Sequence, residues 1–308
     1  MLSIVVPIFN EASTLVELHR AIVAGLSSQS RPYEIIFVDD GSSDATAQIA
    51  NNLSPLRLVR MQRNYGQTPA IDTGIYVAKG DIIVLIDADM QNDPADIPRL
   101  IEKLDEGYDV VIGWRQNRKD HWTRLFFSRF ANFTARHFLG LAIHDFGCGL
   151  KAYRSRFIKD FRLWGEAQVF LPAVAKQRGA RITEIPVTHH ARTVGASKIK
   201  FGNMIRGGFD LIGIVFFVRY FSKPLRFFGG WGLVSTLIAI IVFGVATALR
   251  LAHIVNFTET PLPVVGTLFA IPGVMLFMMG LLAEMLLRMH YSATNSSPYF
   301  IREIVEKA

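Results

Sequence analysis

Residues 80–94 read GDIIVLIDADMQNDP, an almost continuously apolar run that passes into Asp87, Asp89 and Gln91. Runs of four to six apolar residues with polar ends are typical of strands that are buried on both faces of a sheet. The part at 81–86 is therefore predicted to be a strand. Four further runs of the same kind predict strands at 4–8, 34–38, 56–61 and 109–112.

Amphipathic stretches separate these runs and predict helices. Ser13, Asp44 and Asp93 each precede such a stretch, and Pro94 follows Asp93 at the first helical position. Side chains of this kind accept hydrogen bonds from the free N–H groups of a first helical turn, and proline is tolerated there. The alternation of strand and helix predicts an α/β chain with a mostly parallel sheet.

The residues that follow the predicted strands are polar and mostly acidic. In parallel sheets, ligands bind beyond the carboxyl ends of the strands. Helix caps and turns account for Asp40 and Asp93, but not for Asp87, Asp89 and Gln91 together. Two carboxylates spaced by one residue project in similar directions, and oxygen ligands suit a hard cation. The sequence therefore predicts a Mg²⁺ or Mn²⁺ ion that also holds a diphosphate.

Composition indicates that part of the chain lies in lipid. Of its 308 residues 50% are hydrophobic and 19% charged, and the mean hydropathy is +0.28. These values exclude a disordered or fibrous chain. The formal net charge of +7 suits nucleic acid or an anionic membrane. Because the basic residues flank apolar stretches rather than forming a soluble stripe, nucleic-acid binding is excluded.

Cysteine content limits the kinds of site the chain can hold. Cys148 is the single cysteine of the sequence. One cysteine excludes an internal disulfide framework and a cysteine-rich metal site, and it is consistent with a reducing cytoplasm.

Two long apolar stretches predict a membrane anchor. Residues 227–249 and 262–283 contain no ionisable side chain. The second span is predicted to extend to about residue 286. At 1.5 Å per residue each stretch reaches about 33 Å, slightly more than the hydrocarbon layer. The alternative is a pair of core helices in a soluble protein, which rarely lack a polar face over such a length.

The basic residues predict the orientation of this hairpin. Lysines and arginines cluster before the first span and after the second, whereas the connecting loop carries only Arg250 at its edge. The positive-inside rule then places both termini in the cytoplasm of a multi-pass inner-membrane protein. The predicted divisions are a catalytic domain at 1–200, interfacial helices at 201–226, the hairpin at 227–287 and a cytoplasmic tail at 288–308.

Two further segments have the composition of interfacial helices. Residues 122–143 mix aromatic, aliphatic and basic side chains, and residues 209–221 are strongly apolar. The alternative is that both are ordinary core helices packed on the sheet.

Six sequence elements, in this order and followed by two spans, resemble a known family. They are SIVVPIFNE (3–11), EIIFVDDGSSDAT (34–46), GDIIVLIDADMQNDP (80–94), VVIGWR (110–115), HDFGCGLKAYR (144–154) and HHARTVGASK (189–198). The chain resembles family 2 glycosyltransferases that load a sugar onto a polyprenyl phosphate, in their bacterial two-span form. That resemblance implies a GT-A domain, a Rossmann-like α/β fold.

The resemblance implies which residues bind the donor. The nucleotide pocket would contain Pro7, Asn10, Glu11, Asp39 and Asp40, with Asp39 accepting a hydrogen bond from the base. Asp87 would bound the nucleotide-sugar site. Asp89, which is also implied to be catalytic, would hold the metal with Gln91.

The resemblance also implies an acceptor site. Arg115 would bind the lipid phosphate, and Lys151, Arg192 and Lys198 would contact the lipid phosphate or the diphosphate. Asp145 is implied to be catalytic, and three roles stay open for it: orienting the acceptor, stabilising positive charge on the sugar, or holding an arginine.

The function implied is transfer of a hexose or a pentose-type sugar from a UDP- or GDP-sugar to polyprenyl phosphate, with inversion. Undecaprenyl phosphate is the expected acceptor, membrane lipids are expected partners, and a homo-oligomer is left open. One alternative is a processive polysaccharide synthase, which the absence of a Gln-X-X-Arg-Trp element disfavours. The other is a non-catalytic, membrane-anchored protein that binds nucleotide-sugars.

Overall fold

The computed structural model describes residues 1–116, 140–163, 167–190, 216, 220 and 223–294. The chain divides into two compact units, Met1–Val218 and Arg219–Ala308. Several predictions lie outside the described residues: Arg192, Lys198, most of both predicted interfacial segments, and the end of the tail.

The first unit contains one mixed sheet. Within the described residues seven strands pair in the order β3-β2-β1-β4-β6-β5-β7. Only β6 runs antiparallel to its neighbours, β4 and β5, so the prediction of a mostly parallel sheet is confirmed. The strands are β1 (Leu2–Ile8), β2 (Tyr33–Asp39), β3 (Arg57–Arg60), β4 (Ile82–Leu85), β5 (Val110–Trp114), β6 (Lys151–Arg154) and β7 (Ile182–Pro186).

Helices cover both faces of this sheet. One core layer joins the sheet to the apolar sides of α1 and α4, and the other joins it to α3 and α5. Both faces of β1, β2 and β4 are buried, which is why those strands read as continuous apolar runs. The helices of this unit are α1 (Leu15–Gly25), α2 (Thr46–Asn51), α3 (Gln67–Val77), α4 (Ile97–Asp105) and α5 (Ala167–Gln177).

Two local predictions differ from the structure. The run at 56–61 forms a half-exposed edge strand, because Arg57 and Arg60 point to solvent. Ser13 is not a helix cap, since α1 begins after Thr14. Asp93 does cap its turn and accepts from Ala95 N at 2.9 Å. β6 and β7 were not predicted from the sequence, because both strands carry charged side chains.

The second unit contains a helical hairpin made of α6 (Pro224–Leu251) and α7 (Leu262–Thr294). The helices pack closely, because a Cβ at Gly232 would lie 2.7 Å from Gly273 O. Only 17% of the most apolar stretch of each helix is buried, which argues against the alternative of soluble core helices. Both helices are long and apolar enough to cross a membrane. α7 continues into the segment predicted to be the tail.

Candidate functional site

The carboxyl ends of β1 and β2 form one side of the candidate site. Ile8 pairs with Asp39, so the two strands end at the same level of the sheet. Asn10 adopts a left-handed conformation with φ of 54°, and its Oδ1 accepts from Ser43 N at 2.9 Å. Asp39 Oδ1 accepts from Ser42 N at 2.9 Å. These bonds fix the loop after β2 against the loop after β1.

The second carboxylate oxygen of Asp39 is unusual. Asp39 is 1% exposed, and its Oδ2 has no hydrogen-bond partner within the described residues. Arg60 Nε lies 3.7 Å from this oxygen, which is the distance of an ion pair rather than of a hydrogen bond. A buried acceptor without a donor is costly. A ligand N–H reaching this oxygen would remove that cost.

Three other residues predicted to bind the nucleotide-sugar make contacts within the protein. Asp40 accepts from Tyr65 N and from Gly66 N, both at 2.8 Å, so it holds the loop before α3. Glu11 N donates to Thr46 Oγ1 at 2.9 Å. Pro7 is buried inside β1. These contacts position the loops around the pocket, and the direct contact of the three residues with a nucleotide stays a prediction.

Asp87 lies at the centre of the site, directly beyond β4. Its Oδ1 accepts from Gln67 Nε2 at 2.7 Å. Burial, together with the negative charge of Asp89, raises the pKa of Asp87 to about 6, although Lys151 and Arg115 act in the opposite direction. Asp87 is thus a buried carboxyl that is influenced by one neighbouring negative charge and two neighbouring positive charges.

The turn that follows carries the predicted metal ligands. Met90 has φ of 57°, a conformation that non-glycine residues rarely adopt, and it separates Asp89 from Gln91. Asp89 Oδ1 accepts from Gln91 N at 3.2 Å, and Gln91 O accepts from His190 N at 2.9 Å. The strained turn is therefore fastened to the segment after β7.

The donor set of this turn fits a hard divalent cation. Asp89 and Gln91 offer a carboxylate and an amide oxygen as ligands, and a cation beside them would offset the burial and the negative charge of Asp89 that together raise the pKa of Asp87. The described part of the chain contains no group of three or more His, Cys, Asp or Glu side chains that could hold a metal. This set suits an ion that takes its other ligands from a diphosphate and water, as Mg²⁺ commonly does.

Arg115 and Asp145 form a buried ion pair beyond β5. Arg115 Nε and Nη2 donate to the two oxygens of Asp145 at 2.7 and 2.9 Å. Their side chains are 11% and 4% exposed. Burial lowers the pKa of Arg115, but the hydrogen bond and charge of Asp145 outweigh it and raise that pKa above its usual value. Of the three roles left open for Asp145, this contact supports holding an arginine.

A second set of contacts braces this pair. Trp114 stacks on the ring of His144, with centroids 4.4 Å apart and an angle of 17°. His144 bonds through both its backbone N and its Nδ1 to the carboxylate of Glu184 on β7. Because Trp114 precedes Arg115 and His144 precedes Asp145, the brace limits movement of the ion pair.

Lys151 is buried and its ammonium group binds backbone carbonyls. Its Nζ donates to Phe146 O at 2.9 Å and to Gln168 O and Val169 O at 3.4 Å, and the residue is 4% exposed. Burial lowers the pKa of this lysine to about 8. The ammonium group of Lys151 thus binds three carbonyl oxygens and fixes the loop that carries Asp145, and its contact with a phosphate stays a prediction.

Sequence reasoning missed Gln67 and Glu184. Gln67 begins α3 and bonds to Asp87, and Glu184 lies in a strand that was not predicted. The sequence does contain an indication for Gln67, because the polar residues Arg63 and Asn64 follow β3 and lie three to four residues before it. Nothing in the sequence around Glu184 pairs it with His144.

Comparison with known proteins identifies the family of this chain. The model for "Glycosyl transferase family 2" matches residues 3–162. The chain belongs to this family. It is 38% identical to the dodecaprenyl-phosphate galacturonate synthase of Rhizobium johnstonii, over 99% of this chain and 93% of that protein. It is 37% identical to the undecaprenyl-phosphate 4-deoxy-4-formamido-L-arabinose transferase of Edwardsiella ictaluri, over 98% and 94%.

Solved structures support the fold. The glucosyl-3-phosphoglycerate synthase of Mycobacterium tuberculosis, crystallised with Mn²⁺, uridine diphosphate and phosphoglyceric acid, matches with a TM-score of 0.57 and 21% identity. The match covers 70% of this chain and 78% of that one. The predicted GT-A fold, the resemblance to the polyprenyl-phosphate branch and the identification as a glycosyltransferase are confirmed.

Proposed function

We propose that this glycosyltransferase moves a sugar from a UDP- or GDP-sugar to a polyprenyl phosphate. The observation that carries the proposal is the extent of the match to the two polyprenyl-phosphate enzymes, which runs over 98–99% of the chain and so includes the apolar hairpin. A lipid-linked acceptor explains why a nucleotide-sugar enzyme carries membrane spans.

The donor base is assigned to Asp39. Uracil and guanine each carry a ring N–H, and the buried Oδ2 of Asp39 lacks a donor. Asn10 holds the neighbouring loop in place. Asp40, Glu11 and Pro7 shape these loops.

Asp89 and Gln91 are assigned to the divalent metal, with Asp87 bounding the sugar beside them. When bound, the cation neutralises charge on the diphosphate as the glycosidic bond breaks. Asp89 and Gln91 would bind it through oxygen atoms, and their turn is fixed by the bond from His190 N to Gln91 O.

Arg115 is assigned to the acceptor phosphate. A phosphate monoester has a second pKa near 6, so it is mostly dianionic at neutral pH and needs no strong base. It must approach another anion, and repulsion at ~4 Å costs about 4 kcal/mol at an effective dielectric of 20. Arg115 Nη1 makes no hydrogen bond within the described residues and is the atom available to a phosphate. Arg192 and Lys198 are assigned to the same task from the family resemblance.

The acceptor oxygen would attack the anomeric carbon in line with the departing diphosphate. A single displacement of this kind inverts that carbon. Asp145 fixes the arginine that guides the attack, and Lys151 fixes the loop that carries Asp145.

The topology is proposed from charge alone: the catalytic unit faces the cytoplasm and the loop between α6 and α7 faces the periplasm. A cysteine placed at Asn256 should therefore react with an impermeant maleimide in intact cells. Cys148 adds little background, because it is buried and burial raises the pKa of its thiol to about 12. A cysteine at the exposed residue Gln48 is the matched control and should react only after permeabilisation. The opposite pattern would reverse the proposed orientation.

The function is tested with purified enzyme, undecaprenyl phosphate and a panel of labelled UDP- and GDP-sugars that includes uronic acids and pentoses. We expect label in the lipid phase with one donor. The anomeric configuration, read by NMR on the intact lipid-linked sugar, should be opposite to the donor's, and mild acid should then release the label as the free sugar. Transfer to a growing polysaccharide instead would support the processive alternative. A panel in which no donor labels the lipid would contradict the proposal.

A further inference from the structure

Two glutamines join Asp87 to separate helices of the catalytic unit. Gln67, the first residue of α3, donates from Nε2 to Asp87 Oδ1 at 2.7 Å. Gln168, near the start of α5, donates from Nε2 to Gln67 Oε1 at 3.1 Å. Neither glutamine has a part in the reaction proposed above.

The direction of this chain is set by Asp87. An ionised carboxylate can only accept hydrogen bonds, so Gln67 must turn its NH₂ group toward Asp87. Its carbonyl oxygen then faces Gln168, which must donate. The amide orientation of both glutamines is therefore set by the acceptor oxygen Oδ1 of Asp87.

Asp87 is confined on its other side by Gly149. A Cβ at position 149 would lie 2.0 Å from Asp87 Oδ2, so only glycine leaves space for this oxygen. The carboxylate therefore fits between the Gln67 amide and the backbone of Gly149. The Gln67 bond and the Gly149 backbone together limit the positions open to the Asp87 carboxylate.

The backbone of Gln67 is held as firmly as its side chain. Asp40 accepts the N–H groups of Tyr65 and Gly66, which immediately precede α3. Gly66 has φ of 105°, a conformation that favours glycine. Asp40, the loop and Gln67 thus form a continuous connection from the end of β2 to the end of β4.

We propose that Gln67, oriented by Gln168, is a positioning residue that holds the Asp87 carboxylate in place at the nucleotide-sugar site. The inference rests on the proposed function for its effect on catalysis. The contact between Gln67 and Asp87 is independent of that function.

A series at position 67 separates positioning from shape. Glutamate is nearly isosteric with glutamine but brings a negative charge against Asp87, leucine removes the donor, and lysine keeps a donor. We expect kcat to fall about tenfold for Gln67→Leu, about a hundredfold for Gln67→Glu and less than either for Gln67→Lys. The KM for undecaprenyl phosphate should stay unchanged.

The control is Gln48→Glu, which makes the same change at an exposed helical glutamine on α2. If Gln67 served only to fill space, Gln67→Glu would be the mildest variant of the series. A wild-type kcat for Gln67→Glu would overturn the proposal.

Thermal unfolding of the full chain in detergent tests the contact without any substrate. Gln67→Leu should lower the unfolding temperature in the wild-type background and change it little in an Asp87→Ala background, because its partner is then absent. Equal shifts in both backgrounds would overturn the inference. If the wild type transferred no sugar from any donor, the proposed function would fail, and this measurement would still decide the role of Gln67.

Discussion

Replacing Asp89 by asparagine should lower turnover about 100- to 1,000-fold while the fold persists. The substitution removes one negative charge and one strong oxygen ligand from the turn that carries Gln91. Metal ions contribute several kcal/mol to reactions of this type, and each 1.36 kcal/mol is tenfold in rate. Loss of the cation should therefore dominate any local change, since among the described residues Asp89 makes one weak hydrogen bond, to Gln91 N at 3.2 Å.

Two measurements check this expectation. Turnover is compared with Mn²⁺ binding, followed through the paramagnetic signal of the free ion, and Asp89→Asn should weaken both. Asp105→Asn is the matched control, because Asp105 pairs with Arg31 on the surface and both side chains are well exposed. It should keep full activity. Full activity of the wild type in excess EDTA would contradict a metal requirement.

The main features of the sheet could be predicted because burial on both faces leaves a clear pattern. β1, β2 and β4 are buried along most or all of their length, and their sequences contain few polar residues. β6 and β7 are different, since Lys151 and Glu184 interrupt them. Lys151 is tolerated because three backbone carbonyls accept from its ammonium group, and two of them, Gln168 O and Val169 O, lie 17 and 18 residues further along the chain.

The residues at the strand ends could be predicted, but their partners could not. Parallel strands bring their carboxyl ends to one edge, so Asp39 and Asp87 were expected near each other at that edge. Which carboxylate faces a ligand depends on its hydrogen bonds. The sequence does not distinguish the adjacent aspartates Asp39 and Asp40. In the structure both oxygens of Asp40 accept hydrogen bonds from the loop before α3.

Long-range pairs explain the rest of the difference. Arg115 and Asp145 are 30 residues apart, and Gln67 and Asp87 are 20 apart. The contact between Arg115 and Asp145 depends on β6 pairing with β5, which no local pattern encodes. The sequence therefore identified Arg115 and Asp145 separately, and only the structure joins them.

Replacing Arg115 by alanine should weaken use of the acceptor and destabilise the fold, for different reasons. The loss of one charge-assisted contact to a phosphate costs about 1.5 to 3 kcal/mol, or about ten- to a hundredfold in the dependence on polyprenyl phosphate. Binding of the nucleotide-sugar, measured by calorimetry without acceptor, should change little. Asp39→Ala should show the opposite pattern, because its proposed partner is the base.

Stability should fall because the buried carboxylate of Asp145 would lose both hydrogen bonds from Arg115. Breaking a buried ion pair costs about 3 to 5 kcal/mol. Arg31→Ala, which breaks the exposed pair with Asp105, should cost less than about 1 kcal/mol and serves as the matched control.

The double variant Arg115→Ala with Asp145→Ala separates the two effects. It removes both charges, so the unfolding temperature should recover much of what Arg115→Ala loses, whereas the dependence on polyprenyl phosphate should stay weak because no guanidinium remains to bind the acceptor. If acceptor use recovered together with stability, Arg115 would act only through the fold. If Arg115→Ala weakened nucleotide-sugar binding tenfold and left acceptor use intact, this arginine would belong to the donor site instead.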